Sequence, residues 1–150
     1  MTTPDYDTDF YAWTQTQAAA LRDRKWTTLD VTNLAEEIES LGRSDRRAIG
    51  HYLERLLKHL LKWTYQPEQR PRYGRSWARS IRHSRRKIAE LIAESPSLHG
   101  YPAQRMATAY RPAREDAADE TDLPLANFPE ACPWTAAQVL DDDFWPKANA

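Results

Sequence analysis

His59 and Glu37 are the residues whose types and positions come closest to a catalytic pair. His59 lies at the edge of one apolar helical face, and Glu37 lies at the border of another. If those two predicted helices packed antiparallel, an imidazole and a carboxylate would meet, as in a general acid–base pair or half of a metal site. The alternative is a half-buried structural histidine that bonds to Glu37 or to a backbone carbonyl. Because the Glu-x-x-His spacing of di-iron bundles is missing, we predict no catalytic residue, no metal site and no cofactor.

A row of arginines suggests a different chemistry, the binding of a polyanion. At about 100° per residue four of them fall within an arc of roughly 60° on one predicted helix. The opposite side of that helix carries Trp77, Ile81 and Ile88. The candidate polyanion-binding residues are Arg75, Arg79, Arg82 and Arg86, together with Arg55, Lys58 and Lys62 on the preceding helix.

These cations allow two interpretations. Guanidinium groups match the geometry of phosphates and carboxylates, so the face could bind RNA, DNA or an acidic protein. Tyr65, Tyr73 and Trp77 lie between the cations and would offer stacking surfaces. Alternatively, the arginines pair with carboxylates of the same chain. The sequence pI near 6.4 argues against a dedicated nucleic-acid-binding protein, for which a pI above about 9 is typical.

Charge is strongly segregated along the chain, although the formal total is only -1 for 150 residues. Residues 1–42 hold three Lys/Arg and eight Asp/Glu, residues 43–90 hold fourteen and four, and residues 91–150 hold four and ten. An acidic segment therefore stands on each side of a basic one. This distribution fits either internal pairing or a basic surface that is kept for a partner.

Residue types and spacing predict an all-α fold. Two Val and five Ile are few for a sheet protein, whereas Ala, Leu, Arg and Glu favour helix. Apolar periodicity and capping residues predict helices over about 7–24, from Asp30 to Gly42, from Ser44 to about residue 66, over about 75–94, and after Gly100 with a kink or break at Pro112.

The segment from Thr121 onward differs in amino-acid composition from the rest of the chain. Its four prolines forbid a long helix, but its aromatic and aliphatic residues are too many for a disordered tail. We therefore predict one domain over residues 1–150, made of a bundle of about five helices (1–120) and a docked, proline-rich strap (121–150). A short helix after Thr135 fits between the prolines.

Four ordered blocks of the sequence resemble a known family. The blocks are Asp9-Phe10-Tyr11-Ala12-Trp13, residues 33–42 (Asn-Leu-Ala-Glu-Glu-Ile-Glu-Ser-Leu-Gly), residues 57–63 (Leu-Lys-His-Leu-Leu-Lys-Trp), and Leu123-Pro124 followed by residues 128–133 (Phe-Pro-Glu-Ala-Cys-Pro). Together they look like the bacterial domain-of-unknown-function family twenty-nine, over roughly Tyr6 to Trp145. The resemblance implies an uncharacterised all-helical bacterial protein and brings no catalytic residue or ligand with it.

The leading functional hypothesis is a non-enzymatic protein-interaction module with a protein partner or a second copy of itself. Eight large aromatic residues are many for a chain of this size. Most should lie in the core, which has few branched aliphatic residues, and surplus ones would form an exposed patch that marks an interface. The eight residues are Phe10, Tyr11, Trp13, Trp26, Trp63, Trp77, Trp134 and Trp145. The first alternative is a nucleic-acid-binding regulator, and the second is an enzyme or metal protein built on Glu37 and His59.

The expected compartment is the cytoplasm. No apolar run approaches the roughly 18 residues of a membrane helix, so no membrane partner is expected. The amino-terminal residues do not resemble a signal peptide, and the single Cys132 cannot form an internal disulfide. We expect Cys132 to be a buried structural thiol.

Overall fold

A computed structural model of the chain describes residues 4–148. The all-α prediction is confirmed, since this part of the chain contains helices and no strand. The helices are α1 (Phe10–Arg22), α2 (Val31–Tyr65), α3 (Arg70–Glu94), α4 (Tyr101–Thr121) and α5 (Ala136–Leu140), joined by short 3₁₀ turns. None of the described helices is both long enough and apolar enough to cross a membrane.

The chain forms two compact units, which divide between Ser44 and Asp45. The amino-terminal unit contains α1 and the first part of α2. The carboxy-terminal unit contains the rest of α2 and all later helices. The predicted division into a bundle up to residue 120 and a strap from 121 to 150 stays a prediction, and residues 149 and 150 lie outside the described part.

In the amino-terminal unit, partly buried hydrogen bonds connect α1 to the start of α2. Trp13 Nε1 donates to Asp30 Oδ2 over 3.0 Å, and the backbone N–H of Asp30 donates to Gln17 Oε1 over 2.8 Å. Asp30 also accepts from the backbone N–H of Asn33, as expected of the predicted N-cap. The Tyr6 hydroxyl donates to the Glu37 carboxylate, and this hydrogen bond raises the pKa of Tyr6 to about 12.

The core of the carboxy-terminal unit is built around one ridge of α2. Its residues recur at helical spacing and have no exposed surface: Ile49, Leu53, Leu56, Leu57, Leu60 and Leu61. Ile81 and Ile88 of α3 and Ala109 and Ala113 of α4 complete the same core. The predicted central helix is therefore present, with the predicted apolar face buried.

The predicted break between two helices at Gly42 and Ser44 is wrong, because α2 continues through both residues. A glycine ends a helix when it takes the left-handed conformation, and none of the described glycines has a positive φ. One other boundary also differs. Helix α3 begins at Arg70 instead of near residue 75, with Pro71 in its first turn, where the missing N–H costs nothing. Helix α4 continues through Pro112, so of the two alternatives predicted there, a kink or a break, the break is wrong.

The segment after α4 packs onto the carboxy-terminal unit, where Phe128 and Val139 are buried. Hydrogen bonds to its backbone hold it there. Tyr110 Oη donates to the carbonyl of Pro129 over 2.6 Å, and the Arg114 guanidinium donates to the carbonyl of Phe128. Thr135 caps α5 and forms a capping box with Gln138, which confirms the predicted cap.

Arg85 of α3 is buried and forms hydrogen bonds with the backbone near the end of this segment. Its side chain is 2% exposed, Nε donates to the carbonyl of Val139 over 2.8 Å, and Nη2 donates to the carbonyl of Phe144 over 2.7 Å. Its guanidinium carbon also lies 5.4 Å from the centre of the Trp145 ring. A buried charge with neutral acceptors and an aromatic face thus anchors the carboxy-terminal segment to α3.

We expect Arg85→Met to lower the free energy of unfolding by about 2–4 kcal/mol, because two buried carbonyls lose a charged donor. The measurement is urea denaturation followed by circular dichroism. Arg82→Met is the matched control, since Arg82 is exposed on the same helix, and it should change the free energy by less than about 0.5 kcal/mol. Equal losses in the two variants would contradict the anchoring role of Arg85.

Candidate binding surface

Helix α3 has an apolar face on one side and a cationic face on the other. Trp77, Ile81 and Ile88 are buried, and four arginines on the opposite side are exposed. We call Arg75, Arg79, Arg82 and Arg86 the arginine face. The structure therefore brings together the four candidate residues of this helix on one exposed side, as the periodicity predicted.

The arginine face has few partners among the carboxylates of its own chain. Arg86 Nε lies 4.0 Å from Glu90 Oε1, and both side chains are more than half exposed. For Arg75, Arg79 and Arg82, no carboxylate oxygen lies within 4.0 Å anywhere in residues 4–148. The one further contact is a hydrogen bond from the Arg86 guanidinium to His83 Nδ1, over 3.1 Å.

Beside the arginine face runs a groove between α2 and α3. One part has a volume of about 370 Å³ and is lined by Arg55, Arg79, Ser80, Arg82, His83 and Arg86. Arg55 and Ser80 also border an adjoining hollow of about 420 Å³, which His59, Asp116 and Glu120 line as well. The small side chain of Ser80 leaves room between the cations. Arg55, the predicted contribution of the preceding helix, therefore joins the arginine face across this groove.

Lys58 and Lys62, the other two candidates on α2, have a partner instead. Glu120 of α4 lies 3.2 Å from Lys58 Nζ and 2.8 Å from Lys62 Nζ, and Lys62 is buried. Burial alone would raise the pKa of Glu120, but the hydrogen bonds and charges of the two lysines outweigh it and hold that pKa below its usual value. Of the three α2 candidates, Lys62 is therefore buried, and Lys58 shares its carboxylate partner.

An aromatic pair lies where α3 begins. The rings of Tyr73 and Trp77 are stacked with their centres 6.1 Å apart, and the Arg72 guanidinium carbon lies 5.0 Å from the Tyr73 ring centre. Tyr73 is 41% exposed, whereas Trp77 is buried. Of the aromatic residues predicted to interleave with the cations, Tyr73 is therefore available to a ligand.

Glu37 and His59 do not meet. Both lie on α2, and side chains of one helix meet at spacings of three or four residues. Glu37 accepts the hydrogen bond from Tyr6, and His59 Nδ1 donates to the carbonyl of Arg55 over 2.8 Å. The described residues contain no group of three His, Cys, Asp or Glu that could hold a metal ion.

His59 is 9% exposed, and its surroundings favour the neutral imidazole. Burial is the main cause that lowers its pKa to about 4, and the neighbouring Lys62, Lys58 and Arg55 add to the effect. Cys132, which we expected to be a buried structural thiol, is half-buried. Burial raises the pKa of this thiol, which donates to the carbonyl of Trp134, so its surroundings do not favour a reactive thiolate.

Sequence reasoning did not single out several residues of this region. Ser76 and Ser80 each directly follow an arginine of the arginine face and line the hollow beside the groove, and this spacing could have indicated them. No local sequence pattern indicates that Glu120 contacts Lys62, because the two residues are 58 positions apart. Arg85 stands next to Arg86 in the sequence but points to the core.

The fold and the surface thus define an all-α protein whose most distinctive feature is an exposed arginine face. The chain belongs to the family described as "Domain of unknown function DUF29", which it matches over residues 6–145. This confirms the family resemblance. No curated protein and no solved structure shows a significant match to the chain.

The low pKa of His59 makes stability depend on pH. The folded state holds His59 neutral down to about pH 4, whereas an unfolded chain protonates it near pH 6.5, so stability should fall as the pH drops from about 6.5 to 4. The total loss in the free energy of unfolding that corresponds to this pKa shift is about 3 kcal/mol.

Urea denaturation at pH 7.5 and pH 5 measures about 2 kcal/mol of this loss, because the rest falls below pH 5. His59→Gln should remove that part of the pH dependence, whereas His51→Gln, at an exposed position of the same helix, should leave it in place. If His59→Gln kept the full pH dependence, another group would be responsible.

Proposed function

We propose that this protein is a non-enzymatic interaction module whose arginine face binds an acidic segment of a protein partner. One observation carries the proposal. The chain has 22 Asp and Glu against 21 Lys and Arg, yet Arg75, Arg79 and Arg82 have no carboxylate within 4.0 Å in the described residues. Cations that are left unpaired on one face of a rigid helix are available to an outside anion.

The spacing of the arginine face suits a carboxylate-bearing helix or extended segment. From Arg75 to Arg86 the helix rises about 16 Å at roughly 1.5 Å per residue, so the face covers three turns. Each guanidinium can bind a carboxylate through two parallel hydrogen bonds. Because α3 is packed on the core through Trp77, Ile81 and Ile88, the backbone that carries the arginines is already ordered. Little conformational entropy of the backbone is then lost on binding.

Two features favour an acidic protein over a nucleic acid. The whole chain is slightly acidic, which would weaken long-range attraction to a phosphate backbone. Asp116 and Glu120 also border the hollow next to the groove, and they would repel a polyphosphate that followed it. A protein segment with a few placed carboxylates carries less negative charge than a polyphosphate, so both penalties are smaller for it.

Nucleic acid is the second candidate, and the exposed Tyr73 favours it. A base could stack on this ring, beside Arg72, while neighbouring phosphates bind the arginine face. For single-stranded RNA bound by the four arginines, the logarithm of the binding constant should fall with the logarithm of salt concentration with a slope of about -3.

For either ligand we expect a cytoplasmic setting, because a single cysteine is typical of chains that work under reducing conditions.

Fluorescence anisotropy tests the proposal with a labelled Glu-rich peptide, mixed-sequence RNA and duplex DNA, each at low and moderate salt. We expect the peptide to bind. Changing the arginine face to glutamine at all four positions should weaken binding at least about tenfold, with the unfolding midpoint nearly unchanged. Tighter binding of RNA than of the peptide would favour the second candidate.

The matched control changes four exposed cations elsewhere to glutamine, which alters the net charge equally. The control residues are Arg22, Arg24, Lys25 and Arg111. This control should bind as the wild type does. Equal weakening in both variants would mean that net charge, and not the arginine face, causes the attraction. A large loss of stability in the arginine-face variant would mean that these arginines pair within the chain.

A further inference from the structure

One part of the groove between α2 and α3 collects cations from both helices. We call it the arginine hollow; it has a volume of about 370 Å³ and is lined by Arg55, Arg79, Ser80, Arg82, His83 and Arg86. Arg79, Arg82 and Arg86 stand three and four residues apart, so they lie on adjacent turns of one side of α3. Arg55 reaches the same hollow from α2. Four guanidinium groups therefore border one small space.

Carboxylates of the same chain compensate little of this charge. Within residues 4–148, Arg86 is the one arginine of the hollow that has a carboxylate oxygen within 4.0 Å. That carboxylate belongs to Glu90, which is exposed, lies 4.0 Å from Arg86 and lies 3.5 Å from Lys87 as well. Like charges so close together repel one another, and an anion that enters the hollow relieves this repulsion.

Two uncharged side chains add hydrogen-bond donors to the hollow. Arg86 Nη2 donates to His83 Nδ1 over 3.1 Å, and because a guanidinium cannot accept, the imidazole carries its proton on Nε2. The His83 ring also meets the ring of Tyr52 on α2 edge to face, with the ring centres 6.0 Å apart. The hydroxyl of Ser80 is a further donor. Both helices thus position the groups that line the hollow before a ligand arrives.

The number of guanidinium groups favours a phosphate group over a carboxylate. A carboxylate has two oxygens, which one guanidinium fork can satisfy. A phosphomonoester has three free oxygens and a charge of about -2 at neutral pH, so it can accept from several guanidinium groups at once. Arginine clusters are a recurring means of binding phosphorylated side chains. The volume of about 370 Å³ is near the lower end of the range of ligand sites, roughly 300–1,000 Å³, and suits one such group.

The surroundings of the arginine hollow favour one phosphate group over a chain of them. Asp116 lines the adjoining hollow, which shares Arg55 and Ser80 with the arginine hollow. In residues 4–148 no nitrogen of a Lys, Arg or His side chain lies within 4.0 Å of the Asp116 carboxylate. A second phosphate further along the groove would approach this carboxylate and be repelled. A phosphorylated side chain brings a single phosphate and avoids that contact.

We propose that the arginine hollow binds a phosphorylated serine or threonine side chain within the acidic segment of the partner. The four guanidinium groups pair with the phosphate oxygens, and Ser80 and His83 donate further hydrogen bonds. Arg75 belongs to the arginine face but does not line the hollow, and it starts about 6 Å from Arg79 along α3, so it binds a flanking carboxylate. This inference rests on the proposed function, to which it adds the chemistry of one residue of the partner.

Fluorescence anisotropy tests the proposal with one labelled Glu-rich peptide in three versions, which carry serine, glutamate or phosphoserine at the central position. At about pH 7.5, where the phosphate is a dianion, the phosphoserine version should bind at least about tenfold more tightly than the glutamate version. Arg55→Gln should reduce this preference to less than about threefold, because the hollow loses its α2 cation. Arg75→Gln is the matched control, since it removes the same charge outside the hollow and should keep the preference.

The outcomes separate this proposal from the proposed function. If the phosphoserine and glutamate versions bound equally, the arginine hollow would not be a phosphate site, and the proposed function would stand. If none of the three versions bound, both would be overturned. An equal loss of the preference in Arg55→Gln and Arg75→Gln would trace it to net charge and overturn the role of the hollow.

A second pair of variants tests the hollow without a change of charge. Ser80→Leu places a larger side chain in the hollow and should lower the preference for phosphoserine, whereas Ala89→Leu, at an exposed position of the same helix, should keep it. An unchanged preference in Ser80→Leu would overturn the hollow as the site. Inorganic phosphate lacks the flanking carboxylates and should compete far more weakly than the unlabelled phosphopeptide. Equal competition would show that the hollow takes free phosphate and would overturn the assignment to a phosphorylated partner.

Discussion

The structure depends most on the burial of one ridge of α2. Six residues from Ile49 to Leu61 have no exposed surface, and such a ridge is stable only when other helices cover it. Helix α3 has a single apolar side, so packing on the ridge dictates which way it faces. The arginine face is therefore turned outward by the packing of the core itself.

Arg85 shows how specific this arrangement is. It stands beside Arg86 in the sequence, yet its guanidinium points inward to the carbonyls of Val139 and Phe144. The same residue type thus has opposite roles at adjacent positions, one as an anchor and one as a surface cation. Lys62 and Arg79 show a similar difference between two cations. Lys62 is paired with Glu120, whereas Arg79 has no carboxylate oxygen within 4.0 Å in residues 4–148.

The orientation of α3 and the burial of the α2 ridge could be predicted from the sequence, because helical periodicity alone determines which side of a helix is apolar. The continuity of α2 could not. Gly42 is compatible with a helix end or a helix interior, and the choice depends on tertiary contacts. The contact of Lys62 with Glu120 was also beyond prediction, since no local pattern relates residues so far apart. The predicted contact between Glu37 and His59 is absent because the two helices expected to carry them are one continuous helix, α2.

The most direct test of an arginine face open to an acidic partner is an NMR titration of the arginine Nε–Hε signals with a Glu-rich peptide at low salt. In the free protein we expect the signals of Arg79 and Arg82 to exchange rapidly with water and that of Arg85 to be protected. We expect the peptide to shift the first two signals and to leave that of Arg85 unchanged. Signals of Arg79 and Arg82 that are already protected in the free protein, or that do not respond to the peptide, would contradict an arginine face open to an acidic partner.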